Sequence, residues 1–320
     1  MTNIAILGAG AFGTALGISL ASDGNQVTLV ARSGAHVDEM ARTRTNAARL
    51  PGVPLPDLLS PATEIPGQTD LVLAAVPTQA LAETLRLHAS RLRGKAVVSC
   101  NKGVDLSTGA GPTGIIAANS DPSVIAALSG PGFAADIARG LPTALTLACS
   151  DDSQGRALQH QLSTRTLRLY RTTDVAGVEI GGALKNVIAI ASGLAMGGGL
   201  GESARAAIMT RGYAELARFA LSRGARPETL SGLSGLGDLV LTCTSEKSRN
   251  YSCGLSIARG EGLPTGKTVE GVSTAKVVSN IGKTEKIDLP ITHLVNAIVS
   301  DRLSIEEARD QLLSRPLKEE

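Results

Sequence analysis

Aromatic side chains are nearly missing from this chain: three Phe, three Tyr and no Trp among 320 residues. Any stacking on bases or sugar rings therefore falls to very few positions. A surplus of one charge is missing too. The formal net charge is +2 and no run of five Lys/Arg occurs, so a nucleic-acid footprint is not supported. Cys100, Cys149, Cys243 and Cys253 are widely spaced, with no CxxC pair. Zinc and disulfide spacings are both absent, no metal is expected, and free thiols in a reducing cytosol are the reading that remains. No basic start and apolar h-region precede the first apolar run at Asn3, so a signal peptide is not expected. Apolar stretches such as Val187–Ala191 fall far short of a membrane span. The expected location is the cytoplasm, without membrane insertion.

What is present is ordinary globular material, 43% hydrophobic and 19% charged, long enough for one large domain or two ordinary ones. The first half alternates two periodicities. Ile4–Leu7, Val27–Ala31, Leu71–Val76, Ala96–Cys100, Val124–Ser129 and Thr143–Cys149 read as buried strands. Phe12–Asp23 and Thr78–Leu92 read as helices, the second with Thr78 as N-cap. Near-continuous apolar strands alternating with helices predict a doubly wound parallel sheet. Pro51 to Pro66 holds five prolines and reads as an extended excursion. From about Asp174 helical patterns dominate: Val175–Ala195, Ser203–Ser222, Thr274–Ile281, Thr292–Ser300 and Ser304–Leu313, the last opening on a Ser304/Glu307 capping box. The expected division is 1–173 and 174–320, the second part all-α.

Gly8-Ala9-Gly10-Ala11-Phe12-Gly13 has GxGxxG spacing directly after a strand and opening a helix. Gly8 permits the tight turn, Gly10 lets backbone approach a pyrophosphate, and Gly13 allows helix to pack on strand. This makes the first half a Rossmann-type dinucleotide-binding domain. After the second strand an acidic residue would accept the ribose 2′-hydroxyl of NAD. Arg32 stands there instead and suits the 2′-phosphate of NADP. NADPH is the preferred cofactor, with NADH as the alternative.

Ligands of open α/β sheets sit beyond the carboxyl ends of the strands. Three loops fall there: Pro77-Thr78-Gln79, Asn101-Lys102-Gly103 and Gly130-Pro131-Gly132-Phe133-Ala134. Lys102 is the cation closest after these strands, placed to hold a phosphate or polarise a carbonyl. In Gly177–Ile190, an otherwise buried helix carries Lys185-Asn186 in its middle. A lysine on such a face is costly unless paired or functional. Gly181 and Gly182, one turn earlier, make sense if a ligand or another backbone comes close. Reducing a ketone creates an alkoxide that needs a proton, and a poised ammonium supplies it. Lys102 and partial desolvation would lower the Lys185 pKa towards a useful range. His36, His88, His160 and His293 lie in helical or polar contexts, none beside a glycine-rich strand end. Asp238, in Gly235–Cys243, reads as accepting a substrate hydroxyl, orienting a lysine or capping a helix. Ser248-Arg249-Asn250 suits a phosphate or polyol, and equally an ordinary polar turn.

Together these segments resemble the bacterial NAD(P)-dependent glycerol-3-phosphate dehydrogenases, in order across nearly the whole chain. They are GAGAFGTAL (Gly8–Leu16), Asn46…Arg49-Leu50-Pro51, NKG (Asn101–Gly103), SGPGFA (Ser129–Ala134), GALKNVIAIASG (Gly182–Gly193), GLGDLVLTC (Gly235–Cys243), SRN (Ser248–Asn250) and VEG (Val269–Gly271). The resemblance implies an α/β Rossmann domain with an all-α partner, commonly a homodimer. The implied reaction is reduction of dihydroxyacetone phosphate to sn-glycerol 3-phosphate, feeding phospholipid synthesis. It implies Lys185 as proton donor and acceptor, and Lys102 in contact with cofactor and substrate. Gly130, Asp238, Ser248, Arg249 and Asn250 would line the substrate, with Gly132 in the same loop. Ala11, Phe12, Arg32, Ala134, Arg249, Glu270 and Thr268 would contact the cofactor. Two positions depart from the family pattern. Gly132 replaces a usual Ser or Thr, removing a hydroxyl expected to help hold substrate. Ser203 replaces a usual Asn before the helix that follows the glycine-rich loop. Altered affinity rather than altered chemistry is the expected result. Competing readings are a two-domain ketopantoate or β-hydroxy-acid reductase, which is not expected to carry GLGDLVLTC and SRN, and a non-catalytic NADP(H) sensor, which would not need Lys185.

Overall fold

Short runs of Val, Ile, Leu and Ala have no polar face, so as strands they need cover on both sides. In the computed structural model, which describes residues 1–264 and 268–314, they stack into one sheet flanked by helices. The strands are β1 (Asn3–Leu7), β2 (Gln26–Val30), the hairpin β3 (Thr45–Asn46) and β4 (Leu50–Pro54), β5 (Leu59–Ala62), β6 (Leu71–Ala74), β7 (Ala96–Ser99), β8 (Val124–Ser129), β9 (Thr143–Cys149) and β10 (Leu167–Thr172). Apart from the hairpin they form an eight-stranded sheet in the order β10-β9-β8-β7-β6-β1-β2-β5. The order reverses beside β1, so the crevice beyond the β1 and β6 carboxyl ends is the natural ligand position.

Three features depart from the expected sheet. β9 runs antiparallel to β8: the link between them carries the Gly130 loop and a five-residue helix rather than a full crossover helix. β5 lies inside the proline-rich stretch. Proline donates no hydrogen bond, and Pro61 is tolerated because β5 is the sheet edge. β10 alternates buried Leu167 and Leu169 with exposed Arg168 and Tyr170, the pattern of a strand covered on one face, not of a continuous apolar run.

Seven helices serve this part: α1 (Ala11–Ser22), α2 (Gly34–Thr43), α3 (Thr78–Leu87), α4 (Ala89–Leu92), α5 (Pro112–Asn119), α6 (Ala134–Ala138) and α7 (Asp152–Leu162). The single helix expected over Thr78–Leu92 is broken at His88. Thr78 is not its N-cap either. Pro77 holds that position without a side-chain bond, and the Thr78 N–H donates to the distant Glu270 carboxylate at 3.1 Å.

The rest is helical: α8 (Val175–Gly197), α9 (Gly201–Leu221), α10 (Pro227–Leu230), a π-helical turn (Leu233–Gly237), α11 (Asp238–Cys243), α12 (Arg249–Ala258), α13 (Glu270–Glu285), α14 (Pro290–Ile298) and α15 (Ile305–Leu313). The capping box at α15 forms, with Glu307 N–H donating to Ser304 Oγ at 3.1 Å and Ser304 N–H to Glu307 Oε2 at 2.8 Å. α8 is the axle, packed by α9, α11, α12 and α13. By length and composition alone this 23-residue helix could cross a bilayer, which short apolar runs did not reveal; its most apolar window is 83% buried inside the protein. All four cysteines are buried free thiols.

A buried carboxylate fixes the start of α14. Glu215 on α9 is buried and accepts from Ile291 N–H (2.6 Å), Thr292 N–H (3.1 Å) and Thr292 Oγ1 (3.1 Å), closing the N-terminus of α14. Burial pushes its carboxyl up to about 7, against those hydrogen bonds and Arg218. Between the ordinary value and about 7 the folded chain keeps a proton that the unfolded chain has released, so this group's contribution falls as pH rises through that window. Glu215→Ala should cost about 2–3 kcal/mol for the lost bonds. Urea unfolding at pH 5 and pH 8 should show the gap from the parent protein narrowing at the higher pH; a gap that widens contradicts the assignment.

Candidate functional site

The site begins where β1 runs into α1. Gly8 has φ of +112°, which a side chain rarely adopts, and a Cβ on Gly13 would lie 2.2 Å from the Gly8 carbonyl. Gly10 is the N-cap of α1 and makes no side-chain cap, and no acidic residue occupies the first turn. Nothing lies within 4 Å of where a Gly10 Cβ would be. The leading N–H groups of a buried helix thus face an open cradle, which fits the pyrophosphate of a dinucleotide. Ala11 and Phe12 open the helix beside it. Arg32 follows β2, is exposed, and has no hydrogen-bond or ion-pair partner among the described residues.

On the other side of the crevice, two lysines meet one carboxylate. Lys185 Nζ donates to Asp238 Oδ1 at 2.7 Å and to Thr242 Oγ1 at 2.6 Å. Lys102 Nζ donates to Asp238 Oδ2 at 2.7 Å and to the Gly130 carbonyl at 2.9 Å. Each ammonium has three protons, so each keeps one donor beyond these contacts. Lys102 also lies 5.7 Å from the Phe12 ring, which ties this cluster to the glycine loop. Burial drives the Lys185 pKa down to about 8; Asp238 opposes the fall and Lys102 adds to it. Burial alone would raise the Asp238 carboxyl, but the two ammonium groups outweigh it and hold the pKa below the usual carboxylate range.

Backbone geometry explains why these groups converge. Gly237 N–H bonds to the Gly232 carbonyl, five residues back, at 3.0 Å, and the π-helical turn this makes leads directly into α11. A Cβ on Gly235 would lie 1.9 Å from the Leu230 carbonyl, and one on Gly181 2.8 Å from the Ser234 carbonyl. The paired glycines of α8 therefore admit another backbone: the π-helical turn rests on Gly181, and Gly182 lies against Ser129 and the Lys102 stem. Asp238 and Thr242, four apart on α11, then point together at Lys185.

A second set of bonds supports Lys102. Asn186 Nδ2 donates to the Lys102 carbonyl at 3.1 Å, its Oδ1 accepts from Asn250 Nδ2 at 2.8 Å, and Asn250 Oδ1 accepts Gly271 N–H at 3.0 Å. Asn250 therefore acts through Asn186. Ser248 is the N-cap of α12, accepting from Tyr251 N–H at 3.2 Å. Arg249 is exposed on the first turn of α12. Burial raises the Glu270 carboxyl; its bonds from Thr78 and the nearby Arg249 charge oppose the rise. Thr268 is exposed, outside any helix, next to the residues that are not described. Ala134 opens α6.

Gly132 faces an apolar wall. Its Cβ would come within 3.1–3.3 Å of Ile137, Thr143 and Leu145. Ser203, expected before a helix, is instead exposed within the first turn of α9. Residues without a role in the sequence reading also matter: Thr242 on Lys185, and Asn186 on Lys102. Both carried a signal, Thr242 by its spacing from Asp238 and Asn186 as an amide inside an apolar helix.

Comparison with known proteins agrees with this arrangement. The family profile "NAD-dependent glycerol-3-phosphate dehydrogenase N-terminus" matches residues 3–155, and the corresponding C-terminus profile matches 174–310. A relative from Ruegeria sp. (strain TM1040), glycerol-3-phosphate dehydrogenase [NAD(P)+], is 55% identical over 99% of this chain and 100% of its own length. The crystal structure of glycerol-3-phosphate dehydrogenase from Coxiella burnetii superimposes with a TM-score of 0.91 at 34% identity, covering 98% of this chain and 99% of that one. A ketopantoate reductase from Ralstonia eutropha JMP134 has a TM-score of 0.64 at 18% identity, covering 96% of this chain and 100% of that one, a likeness of fold alone.

Asp238→Asn keeps the shape of the cluster and removes its negative charge, leaving two ammonium groups facing each other. A loss of about 3–5 kcal/mol in urea unfolding is expected. Stability within about 1 kcal/mol of the parent would show that the three groups are not charged together.

Proposed function

The chain belongs to the NAD-dependent glycerol-3-phosphate dehydrogenase family, and on that premise we propose that it reduces dihydroxyacetone phosphate to sn-glycerol 3-phosphate, reversibly, with NADPH preferred over NADH. The observation that carries this reading is the buried Lys185 ammonium, held by Asp238 and Thr242 with one donor left over. When bound, the reduced nicotinamide supplies a hydride to the carbonyl carbon. Lys185 donates its remaining proton to the carbonyl oxygen as negative charge builds there. Asp238 fixes the direction of that proton by occupying a second donor of the same nitrogen. Lys102, Lys185 and Asp238 together leave one net positive charge, which favours a phosphorylated substrate over a neutral ketone. Arg249, exposed on the first turn of α12, is a further substrate-side cation. Ser248 caps that helix and Asn250 holds Asn186, so both serve the substrate side by positioning, with Gly130 and Gly132 on the loop after β8.

On the cofactor side, Gly8, Gly10 and Gly13 shape the cradle, and Ala11, Phe12, Ala134, Arg249, Thr268 and Glu270 border the bound dinucleotide. Arg32 pairs with the 2′-phosphate of NADPH, the basis of the preference. Residues 1–173 form the cofactor domain and 174–320 the substrate domain. The protein acts as a cytoplasmic homodimer that supplies phospholipid synthesis.

Purified protein should oxidise NADPH on addition of dihydroxyacetone phosphate. Lys185→Ala should lose on the order of 10²–10⁴-fold in turnover while still binding nucleotide; near-normal turnover removes Lys185 from the chemistry. Reduction uses the ammonium form, so its kcat/KM should hold below about pH 8 and decline above it, while oxidation of glycerol 3-phosphate rises through the same region. Parallel pH profiles in both directions would contradict the assignment. Arg32→Ala should weaken NADPH far more than NADH, by titration of nucleotide fluorescence; equal losses would defeat the 2′-phosphate contact.

A further inference from the structure

The proline-rich excursion between β2 and β6 does more than add an edge strand. Its first part, the hairpin β3–β4, is anchored at both ends. Arg44 adopts φ of +51°, uncommon for a side chain other than glycine, and its guanidinium donates to the Leu55 carbonyl at 3.2 Å while its own carbonyl accepts Leu55 N–H at 2.8 Å. Leu50 and Leu55 are buried in the core. What this framework presents inward is one amide, Asn46, which is 1% exposed.

Both N–H groups of Asn46 are used. Nδ2 donates to the Ala9 carbonyl at 3.1 Å and to Thr14 Oγ1 at 2.8 Å, so one side chain holds the glycine loop and the second turn of α1. Oδ1 then has only acceptor capacity, and it lies 3.0 Å from His36 Nε2. That nitrogen must carry the hydrogen. The Nε2–H tautomer supplies it. His36 lies in the first turn of α2, where its own N–H bonds to the capping Ser33 Oγ, four residues after Arg32. A hydrogen-bonded path therefore runs from the loop beside Arg32 to the pyrophosphate cradle.

The contact to Ala9 decides a direction. A trans peptide unit points its C=O and N–H to opposite sides. Fixing the Ala9 carbonyl towards Asn46 thus fixes the Gly10 N–H away from it. Glycine-flanked peptides flip easily. A flipped Ala9–Gly10 peptide would turn a carbonyl oxygen, not an N–H, towards any anion at the helix terminus.

We infer that Asn46 is a positioning residue for the dinucleotide, locking the Ala9–Gly10 peptide in its anion-receiving orientation, and that His36 holds Asn46 in that rotamer. The inference rests on the reading that the glycine loop receives the pyrophosphate of NAD(P)H. Because the pyrophosphate is common to both nucleotides, the lock serves NADPH and NADH equally, unlike Arg32.

Nucleotide dissociation constants, measured by fluorescence titration without substrate, test it together with steady-state kinetics. Asn46→Ala and Asn46→Asp should bind NADPH and NADH about tenfold or more weakly, each by a similar factor, the Asp variant worse because its carboxylate repels the pyrophosphate. KM for nucleotide should rise with kcat at saturating nucleotide retained, and His36→Leu should weaken both nucleotides roughly threefold while His36→Gln, whose amide also donates, restores them. Folded Asn46→Ala that binds both nucleotides within twofold of the parent overturns the inference. If the Asn46 variants do not fold, the half-buried His36 decides: equal affinities for His36→Leu, His36→Gln and the parent overturn it as well. A parent protein that binds neither nucleotide would overturn the dinucleotide reading itself, and with it this one. A variant effect confined to NADPH would instead transfer Asn46 to the 2′-phosphate side and overturn the lock.

Discussion

A single carboxylate, Asp238, holds two ammonium groups at 2.7 Å each, and the chemistry of the cleft depends on that three-ion contact. Without its acid partner, the buried Lys185 ammonium would be pushed further towards neutrality by burial. Two lysines without an acid between them would repel. With Asp238 in place, Lys185 stays charged near neutrality yet gives up its proton about two orders of magnitude more readily than an exposed lysine, as its pKa of about 8 requires. The acid is itself stabilised as an anion by the groups it serves. Thr242 and the Gly130 carbonyl complete the arrangement, each accepting one further hydrogen bond, from Lys185 and Lys102 respectively.

The contact also joins the two parts of the chain. Lys102 comes from the loop after β7, whereas Lys185 and Asp238 come from α8 and α11. Two more carboxylates act across the same boundary. Glu270 on α13 receives the leading N–H of α3, and Glu179 on α8 receives Thr113 N–H at 2.6 Å and Thr113 Oγ1 at 3.0 Å at the start of α5. Helix N-termini carry partial positive charge, so each acid is attracted as well as hydrogen-bonded. Burial raises both acids, so neither bond is a solvated surface contact of little worth. With the ion cluster, these links tie α8 and α13 to the loops and helix starts of the sheet part.

Much of this was legible in the residues because the decisive features are violations of local rules. A lysine inside an apolar helix, two adjacent glycines one turn earlier, and an acid in a glycine-rich apolar stretch each break the preference of their surroundings. The α/β sheet with an all-α partner was legible from periodicity. What was not legible is of another kind. β10 has a half-exposed pattern and β5 contains a proline, so neither resembles the buried strands around it. The π-helical turn depends on a close approach to Leu230 that no spacing rule encodes. The Thr78 N–H is met by Glu270, a partner 192 residues away, beyond the reach of local propensity. Asn46 was visible as part of a family-like segment, but its partners, 37 and 32 residues distant, were not.

Charge balance sets what this cleft favours. Two cations against one anion leave a positive site even before Arg249, exposed on α12, is counted. A phosphate dianion gains from each of these charges, while a neutral ketone gains only the polarising proton. The Gly132 wall supports the same distinction from the apolar side. A hydroxyl-bearing residue there would press its Cβ against Ile137, Thr143 and Leu145, so in this chain the loop after β8 is packed for glycine; the same loop offers its Gly130 carbonyl to Lys102. On the proposed reading a phosphate is held by the cation cluster, and such an attraction is electrostatic and weakens with salt. Substrate affinity should accordingly fall as ionic strength rises, while a neutral contact would leave that dependence unchanged.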